Sequence, residues 1–273
     1  LPGHDLDLLI DAAHQAGVIA RRHFGAAPRV WDKGQGQGPV TEADLEIDRF
    51  LHAHLLAAHP DYGWLSEEST DSQDRLSAPA TFIVDPIDGT RAFIDGQPGF
   101  AHALAVVRDG QPMAAVVYLP MLDLTYSAVT GGGAWLNGRP LQASTRRTLT
   151  GARVLVNKLA LDPALWPGGV PLIDRHFRPS LAWRLAMVGA GEFDAMLTLR
   201  NTWDWDIAAA ALIATESGAL VTTPDGMPLI FNRATPGNPG VIAAPPVLHA
   251  ALLAAKRGGS ALQNPVPTGL RGR

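Results

Sequence analysis

The chain has no cysteine among its 273 residues, which excludes a disulfide frame, a thiolate zinc site and a cysteine nucleophile. Any metal must be held by oxygen or imidazole. Positive charge is also short: 22 Lys and Arg against 26 Asp and Glu leave a formal net charge of −4. A nucleic-acid polymer would find no basic field for its phosphates. No charge-free run of about 18 apolar residues occurs, so no membrane span is expected. The start, Leu1-Pro2-Gly3-His4-Asp5, has neither a basic segment nor an apolar core. A secretory signal is therefore not expected, and the cytoplasm is the expected compartment. What is present is ordinary for a soluble enzyme, 47% apolar and 18% charged. The length suits one large domain or two packed lobes, since a domain takes about 100–200 residues.

Leu6, Leu9, Ile10, Ala13, Ala16 and Ile19 recur near a 3.6-residue period over 5–24, and Gly25 follows as a stop. That spacing predicts an amphipathic helix. The stretch 28–40, with Gly34, Gly36 and Gly38, reads as a mobile loop. Thr41-x-x-Asp44 is a capping box that opens a second helix ending before Pro60. From residue 81 the period shortens. Thr81–Asp85, His102–Val107, Met113–Tyr118 and Leu124–Val129 read as strands of a largely antiparallel sheet. Gly131-Gly132-Gly133 reads as a turn, because no Gly-Lys-Ser/Thr follows. Beyond residue 150, strands at Val154–Val156, Ala219–Thr222 and Gly240–Ala243 alternate with helices at Leu181–Gly189, Ile207–Ser217 and Val247–Lys256. The expected organisation is an α+β lobe over 1–150 and an α/β lobe over 151–273. The tail from Gly258 has coil composition.

Three acidic segments carry the chemistry. In Phe82-Ile83-Val84-Asp85-Pro86-Ile87-Asp88-Gly89-Thr90 an apolar strand delivers Asp85 at its end, Pro86 forces a turn and Asp88 follows. Backbone N–H groups of Gly89 and Thr90 there are a seat for phosphate oxygens. Taken alone, Asp88 is equally well a helix cap. Leu65-Ser66-Glu67-Glu68, taken alone, is a solvated loop, and Asp206 in Trp205-Asp206-Ile207-Ala208-Ala209-Ala210 is an N-cap carboxylate where an alanine-rich helix begins. Together Glu67, Asp85, Asp88 and Asp206 form a carboxylate-only set suited to a hard cation such as Mg²⁺, with no countering arginine between them. Two such ions could activate water on one side of a phosphorus atom and neutralise the leaving oxygen on the other. Nine histidines are scattered, and none pairs with the acidic set at metal-ligand spacing.

The three segments, in this order and spacing over roughly residues 5–250, resemble the signature set of inositol monophosphatase-like phosphatases. The resemblance implies a layered α-β-α-β-α sandwich, two or three Mg²⁺ ions, lithium sensitivity and hydrolysis of a small phosphate monoester. It places Glu67, Asp85 and the Ile87 carbonyl on one ion and Asp85, Asp88 and Asp206 on a second. It gives Thr90 and Asp44, with Glu67 beside them, to the attacking water. Asp44 is a capping-box residue on its own residues alone. Lys33 matches a position that approaches the site in relatives, against a plain solvated lysine. Relatives are commonly dimers, so the resemblance allows a homodimer.

For the ester, Ser66-Glu67-Glu68, Tyr118-Leu119-Pro120 and Asn238-Pro239-Gly240 resemble the 3′(2′),5′-bisphosphate nucleotidases. Pro179-Ser180-Leu181-Ala182-Trp183-Arg184 corresponds to their phosphate-binding stretch, which puts Ser180 and Arg184 with Gly89, Thr90 and Asp206 on the substrate. Guanidinium at Arg184 would meet the uncleaved phosphate of 3′-phosphoadenosine 5′-phosphate; a solvated helix arginine is the alternative. Asn157-Lys158 stands where those enzymes carry a histidine stretch. Inositol-1-monophosphatase remains an alternative, as does histidinol-phosphatase, whose Gly-Thr-Arg/Lys-x-Phe-Ile wording Asp85–Phe93 shares. A catalytically silent binding relative would have lost a metal carboxylate, and none is lost.

Overall fold

The structure, a computed structural model, describes residues 2–34 and 38–258. Helices α1 (Pro2–His23) and α2 (Glu42–Ala58) form an outer layer. Leu9, Ala13, Ala16 and Ala20 on α1 and Ile47, Leu51 and Leu55 on α2 recur at helical spacing and bury against one face of a sheet. Thr41 caps α2 and exchanges hydrogen bonds with Asp44, as the sequence implies. Between these helices the glycine-rich stretch is not simply a loop. Val30–Asp32 (β1) and Pro39–Thr41 (β2) pair antiparallel, and residues 35–37 lie outside the described residues.

The second layer is a sheet of seven strands in chain order: β3 (Gly63–Ser66), β4 (Thr81–Asp88), β5 (Ala101–Arg108), β6 (Gln111–Leu119), β7 (Leu124–Val129), β8 (Gly133–Leu136) and β9 (Arg139–Pro140). Only the β3–β4 ladder is parallel. Strands β4 to β6 read as near-continuous apolar runs because both faces are covered. Phe82, Val84, Leu104 and Val106 pack toward α1 and α2, while Ile83, Ala103 and Ala105 pack the other way. Glycines 131–133 make the β7–β8 turn, with Gly131 and Gly133 at positive φ.

A short helix α3 (Thr90–Ile94) follows β4. The third layer is α4 (Leu181–Gly189) with α5 (Asp204–Glu216). Helix α5 lies between two sheets and is buried all round from Ile207 to Ala214, which explains its alanines: small side chains let both sheets approach. It begins two residues before Asp206, which is thus its third residue and not its first. The fourth layer contains β10 (Ala152–Val156), β11 (Ile173–His176), β12 (Ala195–Thr198), β14 (Leu220–Thr222) and β16 (Val241–Ala244) in the order β11-β10-β12-β16-β14. A two-residue ladder joins β13 (Thr202–Trp203) to β15 (Gly237–Asn238). Helix α6 (Pro246–Lys256) closes the stack, with Leu248 and Leu252 among Val154, Val156 and Ile242. The fold is the α-β-α-β-α sandwich that the resemblance implies. Among the described residues no helix is long and apolar enough to cross a membrane. Of the tail, only Gly258 is described; 259–273 lie outside.

Candidate active site

Strand β4 does not end at Pro86 in a turn, as its sequence suggests, but runs on to Asp88. Its register against β5 shifts between Asp85, opposite Ala103, and Asp88, opposite Ala101. The extra residue brings Asp85 and Asp88 to one side of the sheet, although three-residue spacing in a regular strand would part them. Gly89 then turns the chain at φ +100°, a conformation that side-chain-bearing residues avoid, and starts α3. Carboxylate oxygens of Asp85, Asp88 and, from α5, Asp206 lie within 4.8 Å of one another.

Each member is held differently. Asp85 is 1% exposed, and neither of its oxygens has a hydrogen-bond partner. Burial, then the charges of Glu67, Asp88 and Asp206, push its pKa well above the usual carboxylate value. Asp88 Oδ2 accepts from the Ser180 hydroxyl at 2.6 Å and the Ala182 N–H at 2.7 Å. Burial still raises its pKa to about 6 against those two bonds. Asp206 Oδ2 accepts from the Trp203 N–H, and burial followed by the Asp88 and Glu67 charges raises its pKa too. Buried like charges with unpartnered oxygens are costly unless a cation neutralises them. The all-oxygen donor set fits Mg²⁺.

Beside the triad, Thr90 Oγ1 lies 3.3 Å from Asp44 Oδ1 and 3.1 Å from the Ile87 carbonyl. Asp44 is fully buried, its other oxygen taken by the Thr41 N–H and hydroxyl, and burial lifts its pKa to about 6. Lys33 Nζ donates to Glu67 and Glu68, both at 2.7 Å. Burial lowers the lysine pKa and the two carboxylates more than offset it, so the net shift is upward. Glu68 has a 3% exposed side chain, and burial moves its pKa to about 7. The acidic set is therefore not uncountered: Lys33 holds Glu67, and the Arg184 charge reaches Asp88.

The structure bears on two substrate-side expectations. Ser180 is fully buried; it caps α4 through the Trp183 N–H and donates to Asp88, so its hydroxyl is spent on positioning a carboxylate. Arg184 is not a solvated helix arginine. Its Nε and Nη2 donate to the Arg178 and Pro179 carbonyls, and its guanidinium lies 4.4 Å from the Phe177 ring centre. The Nη1 hydrogens and the second Nη2 hydrogen are left for a ligand. Gly89, Thr90 and Asp206 line the pocket. Sequence reasoning missed Asp48, which accepts from Ser66 and Ser69 at 2.5 Å and anchors the segment bearing Glu67 and Glu68. Its signal was its position four residues after Asp44 on one face of α2.

The triad lies at the floor of a cavity of about 650 Å³. Beyond residue 150 its wall includes Asn157, Leu159, Phe177, Arg184, Thr198 and Arg200, and Asp206 is that wall's one carboxylate among the described residues.

The chain is 34% identical to an inositol-1-monophosphatase of Rhizobium meliloti over 81% of its own length and 86% of that protein's. It is 30% identical to a 3′(2′),5′-bisphosphate nucleotidase of Aggregatibacter actinomycetemcomitans over 85% and 89% of the two chains. The solved extragenic suppressor protein suhB of Bartonella henselae superposes with a TM-score of 0.81 at 29% identity, covering 94% of this chain and 99% of that one. The sequence profile described as the inositol monophosphatase family matches residues 4–260, and with these carboxylates on this fold the chain belongs to that family of phosphate monoester hydrolases.

Proposed function

We propose that this chain is a Mg²⁺-dependent phosphatase whose substrate is a nucleoside 3′(2′),5′-bisphosphate such as 3′-phosphoadenosine 5′-phosphate, hydrolysed to the 5′-monophosphate and inorganic phosphate. Asp85, Asp88 and Asp206, with Glu67 and the Ile87 carbonyl, would hold the ions. Bound there, Mg²⁺ supplies charge neutralisation at the phosphoryl oxygens and lowers the pKa of water. Thr90 orients the attacking water through its hydroxyl oxygen, and Asp44, hydrogen-bonded to Thr90, accepts the proton passed along that pair. Backbone N–H groups of Gly89 and Thr90 take phosphate oxygens. Lys33 steadies Glu67 at the edge of the site.

The observation that carries the substrate reading is the wall built after residue 150. A polyol asks for several acceptors, and that wall offers Asn157, Thr198 and one carboxylate, already in the triad. It also offers arginines at 184 and 200 and exposed apolar surface at Leu159, Leu165 and Phe177. The Phe177 ring is 46% exposed and backed by a guanidinium, a surface suited to stacking a flat base. Arg200, with the free N–H groups of Arg184, would take the uncleaved phosphate. A cyclitol monophosphate is the second reading, favoured by the names of relatives such as the Rhizobium protein. Lithium sensitivity and dimerisation belong to this proposal as family expectations.

A substrate panel decides it: 3′-phosphoadenosine 5′-phosphate, inositol 1-phosphate, histidinol phosphate and fructose 1,6-bisphosphate compared by kcat/KM. The nucleotide should lead by about tenfold or more, which is about 1.4 kcal/mol of transition-state binding. Arg200→Ala should cost the bisphosphate selectively. A tenfold lead for inositol 1-phosphate would replace this reading with the second.

A further inference from the structure

The bulge that aims Asp85 and Asp88 together has a structural cost. Pro86 and Ile87 jointly oppose one residue of β5, His102, and backbone groups inside a bulge drop out of the ladder. The buried Pro86 carbonyl must find a donor elsewhere. His102 Nδ1 lies 2.5 Å from it. A carbonyl only accepts, so Nδ1 carries the proton. Burial, partly offset by this bond, lowers the imidazole pKa to about 4, so the ring is neutral and Nε2 bare. Nε2 is itself buried without a hydrogen-bond partner.

The ring lies on the α1/α2 side of the sheet. Phe100 and Tyr118, members of that core, have ring centres 6.3 and 6.2 Å from it. Asp88 turns the other way, to Ser180 and Ala182. His102 therefore stands behind the sheet, out of reach of substrate. Arg21, bonded to the Tyr118 hydroxyl and the Pro120 carbonyl, is the charged side chain whose field reaches it and opposes a second proton. Its neighbours on this face, Phe100 just before β5 and Leu104 and Val106 within it, are apolar. Packing alone would be served by another apolar side chain, without leaving a nitrogen unpaired.

We propose that His102 is a positioning residue, whose Nδ1–H pins the Pro86 carbonyl from the far face of the sheet and so fixes the bulge that presents Asp85 and Asp88 to the cation. The inference rests on the metal reading of those carboxylates.

The test is the Mg²⁺ dependence of the full chain's melting temperature, with kcat and KM measured alongside, in wild type and three variants. His102→Asn keeps an N–H near the Nδ1 position, His102→Leu keeps bulk without a donor, and His102→Gln moves the amide outward. Leu and Gln should need about tenfold more Mg²⁺ for the same thermal shift, with KM unchanged. Asn should stay within about threefold of wild type. If Leu fails to fold, the contrast of Asn with Gln carries the result. Equal Mg²⁺ dependence in all folded variants, or an Asn variant as impaired as Gln, overturns the role of His102 while the wild-type response stands. A wild type with no Mg²⁺ response overturns the metal reading and this inference with it.

Discussion

Ser180→Ala separates the two roles open to that hydroxyl. It removes an N-cap bond to the Trp183 N–H, worth about 1 kcal/mol. It also removes a 2.6 Å bond to the Asp88 carboxylate, worth about 1.5–3 kcal/mol for a charged acceptor. Together that is about 2.5–4 kcal/mol of stability. A chain of this size loses about 2–4 °C per kcal/mol, so the melting temperature should fall by roughly 5–15 °C. Asp88 would keep the Ala182 N–H on the same oxygen, lose its side-chain donor and bind a proton more readily. The apparent Mg²⁺ requirement should then rise about tenfold and kcat fall at limiting Mg²⁺. KM for the phosphate ester at saturating Mg²⁺ should stay within about twofold. Steady-state kinetics over a grid of Mg²⁺ and substrate concentrations read all three quantities. A raised KM with an unchanged Mg²⁺ requirement would refute the positioning role and return Ser180 to the substrate.

Thr90→Ala should lower kcat far more than it raises KM, since its hydroxyl is assigned to the water, and a change in KM alone would reassign it to phosphate binding. Metal-free protein should lose stability as pH rises. Groups that bind protons more tightly folded than unfolded contribute stability that is present at low pH and lost as pH climbs through their folded pKa. Asp44 and Asp88, at about 6, have lost most of theirs by about pH 6.5, so the fall across neutral pH belongs to Glu68, at about 7, and to Asp85 and Asp206, which burial raises well above the usual carboxylate value. His102 and His249, both lowered by burial, pull the other way up to and around their unfolded pKa of about 6.5, so the comparison belongs between about pH 7 and 8.5. Thermal melts in EDTA across that range should fall and Mg²⁺ should flatten them; a melting temperature in EDTA that rises would contradict the burial argument.

The helices and the first sheet were legible because their signals are local. Thr41 and Asp44 spell a cap, and the apolar runs at 81–85, 102–107 and 124–129 are long enough to mark strands. Strands such as Gly63–Ser66, Ile173–His176 and Ala195–Thr198 are four residues each and too short for a period to show. The acidic site was legible as a set of residues and not as a geometry. Asp-Pro-Ile-Asp reads locally as a turn, and only pairing with β5 makes it a bulged strand. Ser180, Arg184 and Lys33 were placed near the site on motif grounds. Asp88 and the Glu67–Glu68 pair lie at distances in sequence from Ser180 and Lys33 that no window reads, and the partners of Arg184 are local but are backbone carbonyls, which carry no residue signal. His102 gave no signal, because its partner is a carbonyl, which every residue has.

The central claim is that the buried carboxylates exist to hold Mg²⁺ for phosphate ester hydrolysis. The most direct measurement is phosphate release by verified metal-free protein before and after Mg²⁺ is restored, run beside Asp85→Asn. The account predicts no activity without metal, recovery with Mg²⁺, and a loss of several orders of magnitude in the variant at any Mg²⁺ concentration, since Asp85 has two buried oxygens with no other partner. Full activity in the metal-free protein, or an Asp85→Asn variant as active as wild type, would contradict it.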